Sequence, residues 1–361
     1  VPRPHLLLSL GLAAVLAGSV LALRVEVDPP ATGTPPGPVL PTAPTEDRRP
    51  TTLIALDFAD ARHAFAVRRE CRTGPNGVCQ AVLLATDDGF RTTTEHALPE
   101  GVGGYAGGLT SFDVLGPGRL RIGSGTDYHS ADGGLSWTKV TGRAEPVAVI
   151  PPGARLRQEC GPGGCAVRVV LPDSGRTAAL RTPPPLEAPE PGAVPARDGR
   201  WWVVGRRGER PAVASSPDGA RWEVRELPPA PYRNWWTASV GGFGARVYAW
   251  LTGPGPQDRG TLVTLYRSDD RGQTWTRVPH RAELSISLAP VVGVDGELRV
   301  TGPGGRTLLG RDGGREFTPA PEPQALPDGA VAWTRGGYVA HTAYDHLVSW
   351  DGLSWTELPV S

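Results

Sequence analysis

Four cysteines stand in two close pairs, Cys71 with Cys79 and Cys160 with Cys165. Thiols so spaced can close disulfides or supply half of a zinc site. Neither pair has a histidine or second cysteine pair nearby, and each brackets a Gly-rich turn, RTGPNGV or GPGG. Three pairings are open in principle, and the local one, 71–79 with 160–165, is expected. His341 and His346 are five residues apart in a strand–turn segment, which is not a helical metal spacing. They read as exposed hairpin residues. Tyr232, Arg233, Trp235 and Trp236 crowd into one short segment. That mixture suits a binding hot spot for a protein or carbohydrate, although a Trp there can also pack into a core. No Gly-x-Ser-x-Gly elbow and no His-Glu-x-x-His stretch occurs. Tyr232, Arg233, Trp235 and Trp236 are thus the candidate ligand-binding residues, and no catalytic residue, metal ligand or cofactor is assigned.

An aspartate repeated seven times points to architecture instead. Ser268–Trp275 reads S-x-D-x-G-x-T-W, and Ser130–Trp137 repeats it with Ser for Thr. Gly310–Phe317 keeps Asp312, Gly314 and an aromatic end, while Ser216–Trp222 and Ser349–Trp355 are one residue shorter. Thr86–Thr93 and Leu171–Ala178 are degenerate. The aspartates are Asp88, Asp132, Asp173, Asp218, Asp270, Asp312 and Asp351. The boxes end at intervals of 44, 41, 44, 53, 42 and 38 residues. Seven units of about 44 residues, the length of a four-stranded propeller blade, then fill positions 51–361. A short carboxylate accepts nearby backbone N–H groups, glycine supplies positive φ, and a hydroxyl adds a second local bond. Each aspartate is therefore expected to build a turn, with the closing Trp packed against its unit.

The segments around the boxes are strand-like. Gly118–Ile122, Gly199–Val203 and Gly296–Val300 read as second strands, and Ala81–Leu84 and Leu262–Leu265 as third strands leading into a box. Both cysteine pairs then lie between second and third strands. They fall in the two units with the weakest boxes, which suggests that they compensate there. The expected fold is all-β: a seven-bladed propeller, with six blades as the alternative, built of four-stranded antiparallel blades.

The boxes resemble the Asp-box (BNR) repeat of sialidases, sortilin-type receptors and Ycf48-type assembly propellers, over about residues 51–361. The resemblance implies a β-propeller with the boxes on its outer rim, away from the central binding face, so that they are structural. It also implies a catalytic alternative. Sialidases grip a carboxylate with three arginines and use a Tyr activated by Glu beside an Asp acid/base. Their early F/Y-R-I-P motif has no counterpart in the opening Leu53–Arg62 of the first unit. The nearest match, Tyr232-Arg233-Asn234-Trp235, lies in the fifth unit without Ile or Pro. Seven units also depart from the six blades of sialidases. The expected function is a non-enzymatic binding or scaffolding propeller for a protein or glycan. A sialidase-like glycoside hydrolase is the alternative, and a purely structural envelope protein the third reading.

Composition limits these readings. With 48 Gly and 39 Pro in 361 residues, few stretches are left for long helices. Yet 39% apolar residues and 11 Trp are too much buryable surface for a disordered chain. Basic and acidic residues number 37 each, so no net charge draws nucleic acid. Lys139 is the only lysine and Met is absent, the composition that a GC-rich bacterial genome writes, so the Arg excess is no binding signature. Residues 1–28 read as a signal peptide or signal anchor, since Arg3 precedes an apolar, helix-forming run from Leu6 to Leu23. Residues 29–50, with eight prolines, are expected to be a disordered polyproline stalk. At about 3.1 Å per residue it would reach roughly 70 Å. The folded part is then expected outside the cytoplasm as a monomer, secreted or held to the membrane through the N-terminal segment alone. Disulfides agree with that location.

Overall fold

The structure, a computed structural model, describes residues 51–71, 79–103, 108–230, 235, 237–254, 260–279, 290–302, 305–342 and 346–358. The apolar helix expected within 1–28 and the stalk at 29–50 lie outside the described residues. Seven antiparallel sheets follow one another along the chain and form the blades of a seven-bladed β-propeller, which excludes six. The first blade consists of Thr51–Phe58, Ala64–Cys71, Cys79–Thr86 and Thr94–Ala97, in that spatial order from channel to rim. The others occupy 111–139, 155–179, 187–226, 237–278, 291–319 and 329–357. Among the described residues, no helix is long and apolar enough to cross a membrane.

Burial follows from this stacking. The middle strands of the fourth blade, Trp201–Arg207 and Arg210–Ser216, are buried on both sides because blades flank them, so they read as continuous apolar runs. The rim strand Glu223–Glu226 is half-covered and charged. Trp201 and Trp202 both lie in inter-blade cores, 5% and 4% exposed.

The boxes turn the third strand into the rim strand. Ser268 Oγ donates to Asp270 Oδ1 at 2.7 Å and accepts the Gly272 N–H at 2.7 Å. Thr274 closes the other side, its N–H 2.8 Å from Oδ1 and its hydroxyl 2.6 Å from Oδ2. Ser130, Asp132, Gly134 and Ser136 repeat the pattern. So do Thr86, Asp88 and Thr92, the box that looks degenerate in sequence. It looks so because Phe90, at φ 69°, takes the glycine position. The shorter boxes keep part of the set: Asp218 accepts the Ala220 N–H at 2.9 Å, and Asp351 those of Leu353 and Ser354 at 2.8 Å. Asp312 lacks the flanking hydroxyls and meets Arg315 Nη1 at 3.2 Å. At Asp173 the turn rests on backbone bonds, with the Gly175 N–H donating to Leu171 O and the Leu171 N–H to Arg176 O, each at 2.9 Å.

Glycine at the fifth box position serves packing as well as φ. A Cβ on Gly272 (φ +81°) would stand 2.3 Å from the Trp202 ring of the preceding blade. The turn thus seats against its neighbour, and the Trp137 indole N–H reaches Ala97 O of the blade before it at 3.1 Å.

Hydrogen bonds from Thr92, Ser136 and Thr274 hold the carboxyls of Asp88, Asp132 and Asp270 down at about 2. A depressed folded-state value means that these turns favour the fold above the ordinary value of 3.8 and lose that contribution as pH falls toward 2. In Ser136→Ala, the NMR titration midpoint of Asp132 is expected to rise toward 3.8 while Asp270 stays put. An unmoved Asp132 midpoint would refute this.

The third blade departs from the plan. It has three strands, Arg155–Gly161, Gly164–Val170 and Thr177–Ala179, and its box lies between the last two. Among the described residues the strand it lacks is therefore the innermost one, the exception to an otherwise four-stranded plan. The chain that would form it runs along the outer edge instead. Ala144 and Val147 N–H groups donate to Thr177 O and Ala179 O at 2.9 Å, and the Arg181 N–H returns to Val147 O at 2.8 Å. Ile150 then crosses the box-bearing face, its N–H 2.6 Å from Asp218 O of the fourth blade. Pro151 and Pro152 follow; with no N–H donors and fixed φ, they cannot extend a ladder on the channel side.

Both disulfides pair locally across the second and third strands, Cys71 with Cys79 and Cys160 with Cys165. Compensation for weak boxes does not explain the first, because the Asp88 turn has its full set of bonds. Thiol titration is expected to find none before denaturing reduction and four after, with each bridge worth about 2–2.5 kcal/mol on a chain-entropy basis. Free thiols in the unreduced protein would overturn the pairing.

Among the described residues, no strand passes between the first and last blades. Thr51–Phe58 pairs within its own blade, and the ring closes by side chains. Phe58, 1% exposed, meets Trp350 edge-on at 5.7 Å and Phe90 at 5.8 Å. Leu56, Leu84, Val339, Val348 and Leu358 complete this seam.

Candidate functional site

The innermost strands Thr51–Phe58, Ser111–Gly116, Glu187–Pro191, Thr237–Phe243, Val291–Val292 and Gly329–Thr334 surround the central channel. At the third blade no strand of the described residues completes that wall, and arginines take its place. Side chains alternate along Arg155–Gly161, so Leu156 enters the core shared with the fourth blade while Arg155 and Arg157 point the other way. Arg157 grips Asp113 Oδ1 of the second blade with Nη2 at 2.8 Å and Nε at 3.1 Å. Arg155 bonds Asp57 Oδ2 of the first blade through Nη1, and its Nε lies 3.6 Å from Asp113. Arg335, from the first turn of the seventh blade, donates to Val114 O at 3.1 Å and to Ala154 O. Asp57 also accepts the N–H groups of Phe58 at 2.9 Å and Val114 at 3.1 Å.

Four blades thus meet in one buried cluster of three guanidiniums and two carboxylates. Burial, then repulsion from Arg335 and Arg157, pushes Arg155 down to about 9; burial takes Arg335 to about 10. Burial also pushes the Asp113 carboxyl up, against the pull of Arg157 and Arg121. Three arginines do converge, but Arg155 and Arg157 grip this chain's own aspartates and Arg335 bonds backbone carbonyls. Both carboxylates are committed to the ring.

Beside the cluster lies a cavity of about 300 Å³, walled by Arg155, Glu190, Trp202, Trp250, Trp333 and Tyr338, with Gly192, Gly241 and Gly242 leaving room between them. Glycine at 241 has a reason: a Cβ there would stand 3.1 Å from the Trp250 ring. Tyr338 is fixed, its hydroxyl donating to Val292 O at 2.9 Å and accepting the Val292 N–H at 3.2 Å, and burial pushes it up to about 12. Trp333 donates its indole N–H to Pro195 O at 3.1 Å. The Arg197 guanidinium lies 5.0 Å from the Phe243 ring centre and 5.3 Å from that of Trp333. The connection between the first two strands of the fourth blade therefore reaches across to the seventh. Half-buried Glu190 accepts the Ala238 N–H at 3.1 Å, burial pushes its carboxyl up, and no cation pairs with it among the described residues.

The sequence-level candidates fall elsewhere. Tyr232, Arg233 and Trp236 lie outside the described residues. Trp235 is half-buried against the core of the fourth and fifth blades, with the Arg206 guanidinium 4.3 Å over its ring, and does not line the cavity. His341 and His346 are not exposed; they are a half-buried cross-strand pair with ring centres 5.2 Å apart. Burial and the neighbouring ring push His341 down to about 4. Glu190, Trp250, Trp333 and Tyr338 were missed. Glu190, Trp333 and Tyr338 share a positional signal, each on a first or second strand near the turn that joins the two, whereas Trp250 sits at the middle of its strand.

No protein-family model matches the chain, and no curated protein matches it. Solved structures similar to it are propellers or contain them. A Ycf48 bound to D1 peptide is 18% identical over 73% of this chain and 93% of its own, with a TM-score of 0.36. The GH74 xyloglucanase from Xanthomonas campestris is 17% identical over 80% of this chain and 50% of its own, with a TM-score of 0.39. The β-propeller domain of the Trilobed protease from Pyrococcus furiosus, described as having an open velcro topology, is 11% identical over 85% of this chain and 97% of its own, with a TM-score of 0.43. At these identities the likeness concerns the fold alone.

Proposed function

We propose that the chain is an extracytoplasmic Asp-box propeller that binds a ligand in its channel and performs no catalysis. Residues 1–28 would export or anchor it and residues 29–50 would hold it off the membrane, with a protein or carbohydrate as partner and a monomer as working form. Two disulfides support an oxidising location. One observation carries the non-catalytic reading. Asp57 and Asp113 are tied to arginines, which leaves Glu190 as the single carboxylate among the described residues of the cavity wall. Glycoside hydrolysis through paired carboxylates needs two that are free to act on the sugar. The test is turnover of fluorogenic sialosides and β-glucosides by the full chain and by Glu190→Gln. No release above blank is expected from either. Release that disappears in Glu190→Gln would establish the hydrolase instead.

A further inference from the structure

We propose that the channel cavity is a receptor for an alkylated ammonium group, held by Glu190 among Trp202, Trp250, Trp333 and Tyr338. This rests on the binding reading above and names its ligand chemistry. The volume, about 300 Å³, is at the small end of pockets that enclose organic ligands. Four aromatic residues stand on its wall among small aliphatic ones, and Glu190 is the anion among the described lining residues. A half-buried carboxylate with one backbone hydrogen bond and no cationic partner among the described residues is costly unless a positive charge joins it. The other charge on the wall does not fill that role, because Arg155 is already engaged by Asp57 and lies 3.6 Å from Asp113. Three Trp and a Tyr beside that carboxylate favour a diffuse cation, since ring faces attract positive charge while its methyl groups bury against the rings and the aliphatic lining. A carboxylate ligand would meet Glu190 as a like charge. A neutral sugar would leave it without a counter-ion.

The experiment uses the full chain and reads tryptophan fluorescence and calorimetric heat with three probes. They are choline, its uncharged carbon isostere 3,3-dimethylbutan-1-ol, and a short peptide bearing trimethyllysine. Choline or the peptide is expected to bind saturably, at least tenfold tighter than the isostere, and Glu190→Gln is expected to erase that preference. Gln keeps an acceptor for the Ala238 N–H, and circular dichroism checks its fold. The isostere arm needs no variant. Peptide binding without choline binding would place the ammonium on a protein side chain and still support the site. Equal binding of choline and isostere, a preference that survives Glu190→Gln, or no binding of any probe overturns the ammonium assignment. Those outcomes leave the non-catalytic reading to its own test, which only glycoside turnover defeats.

Discussion

Asp57→Ala is expected to cost about 3–5 kcal/mol in urea unfolding, because removing one partner of a buried ion pair leaves the other charged and unsolvated. The residue left behind is Arg155, whose side chain is 11% exposed and already faces Arg157 and Arg335. Its remaining carboxylate contact, to Asp113, is long at 3.6 Å. The double variant Asp57→Ala with Arg155→Met removes the stranded cation, and most of the loss should be recovered, since apolar replacements of buried ion pairs are often neutral. A loss below about 1 kcal/mol in the single variant, or a double variant no better than the single, would show that the cluster does not lock the ring.

Phe58→Ala is expected to cost a similar amount, about 3–5 kcal/mol, through lost burial and the cavity left behind. Its second effect distinguishes it from an ordinary core truncation. Phe58 fills the seam between the first and last blades, where no backbone ladder of the described residues crosses. Amide exchange of Val339 and Val348 should therefore accelerate more than that of Val203 in the fourth blade. Phe65→Ala is the control: Phe65 is 3% exposed in the core between the first and second blades and does not touch the seam. Equal acceleration of Val339 in both variants would mean that closure does not depend on Phe58.

The periodic part of the fold was legible because one local turn recurs. Each box encodes its own hydrogen bonds within a few residues, so spacing alone located seven blades. The Thr86–Thr93 box shows the limit of residue identity: Phe90 at positive φ hides a turn whose bonds equal those of Ser268–Trp275. The third blade was less legible. Its missing strand depends on where the segment Ala144–Ile150 goes after the second blade, a choice between inner and outer edge that spacing does not record. Pro151-Pro152 was the available clue.

The site was least legible. The cavity combines Glu190, Trp250 and Trp333 from three blades, and the cluster combines Asp57, Asp113, Arg155 and Arg335 from four. Arg335 and Val114, bonded across the cluster, are 221 residues apart, so no local pattern joins such partners. The dense Tyr232–Trp236 segment drew attention for the opposite reason, that its neighbours in sequence are alike. The described member, Trp235, packs into a core.

Among the described residues, each sheet is written in one stretch of chain, with no strand lent to another. A gene segment of one repeat length therefore specifies an entire blade. Duplication or loss of such a segment adds or removes a complete sheet and leaves no half-built one behind. In a ring sealed by an exchanged strand, the same event next to the seal would split a sheet. Descent by whole repeats is accordingly open to this architecture at every junction, and the third blade, already short of a strand, shows how far one copy can diverge while its neighbours keep the ring.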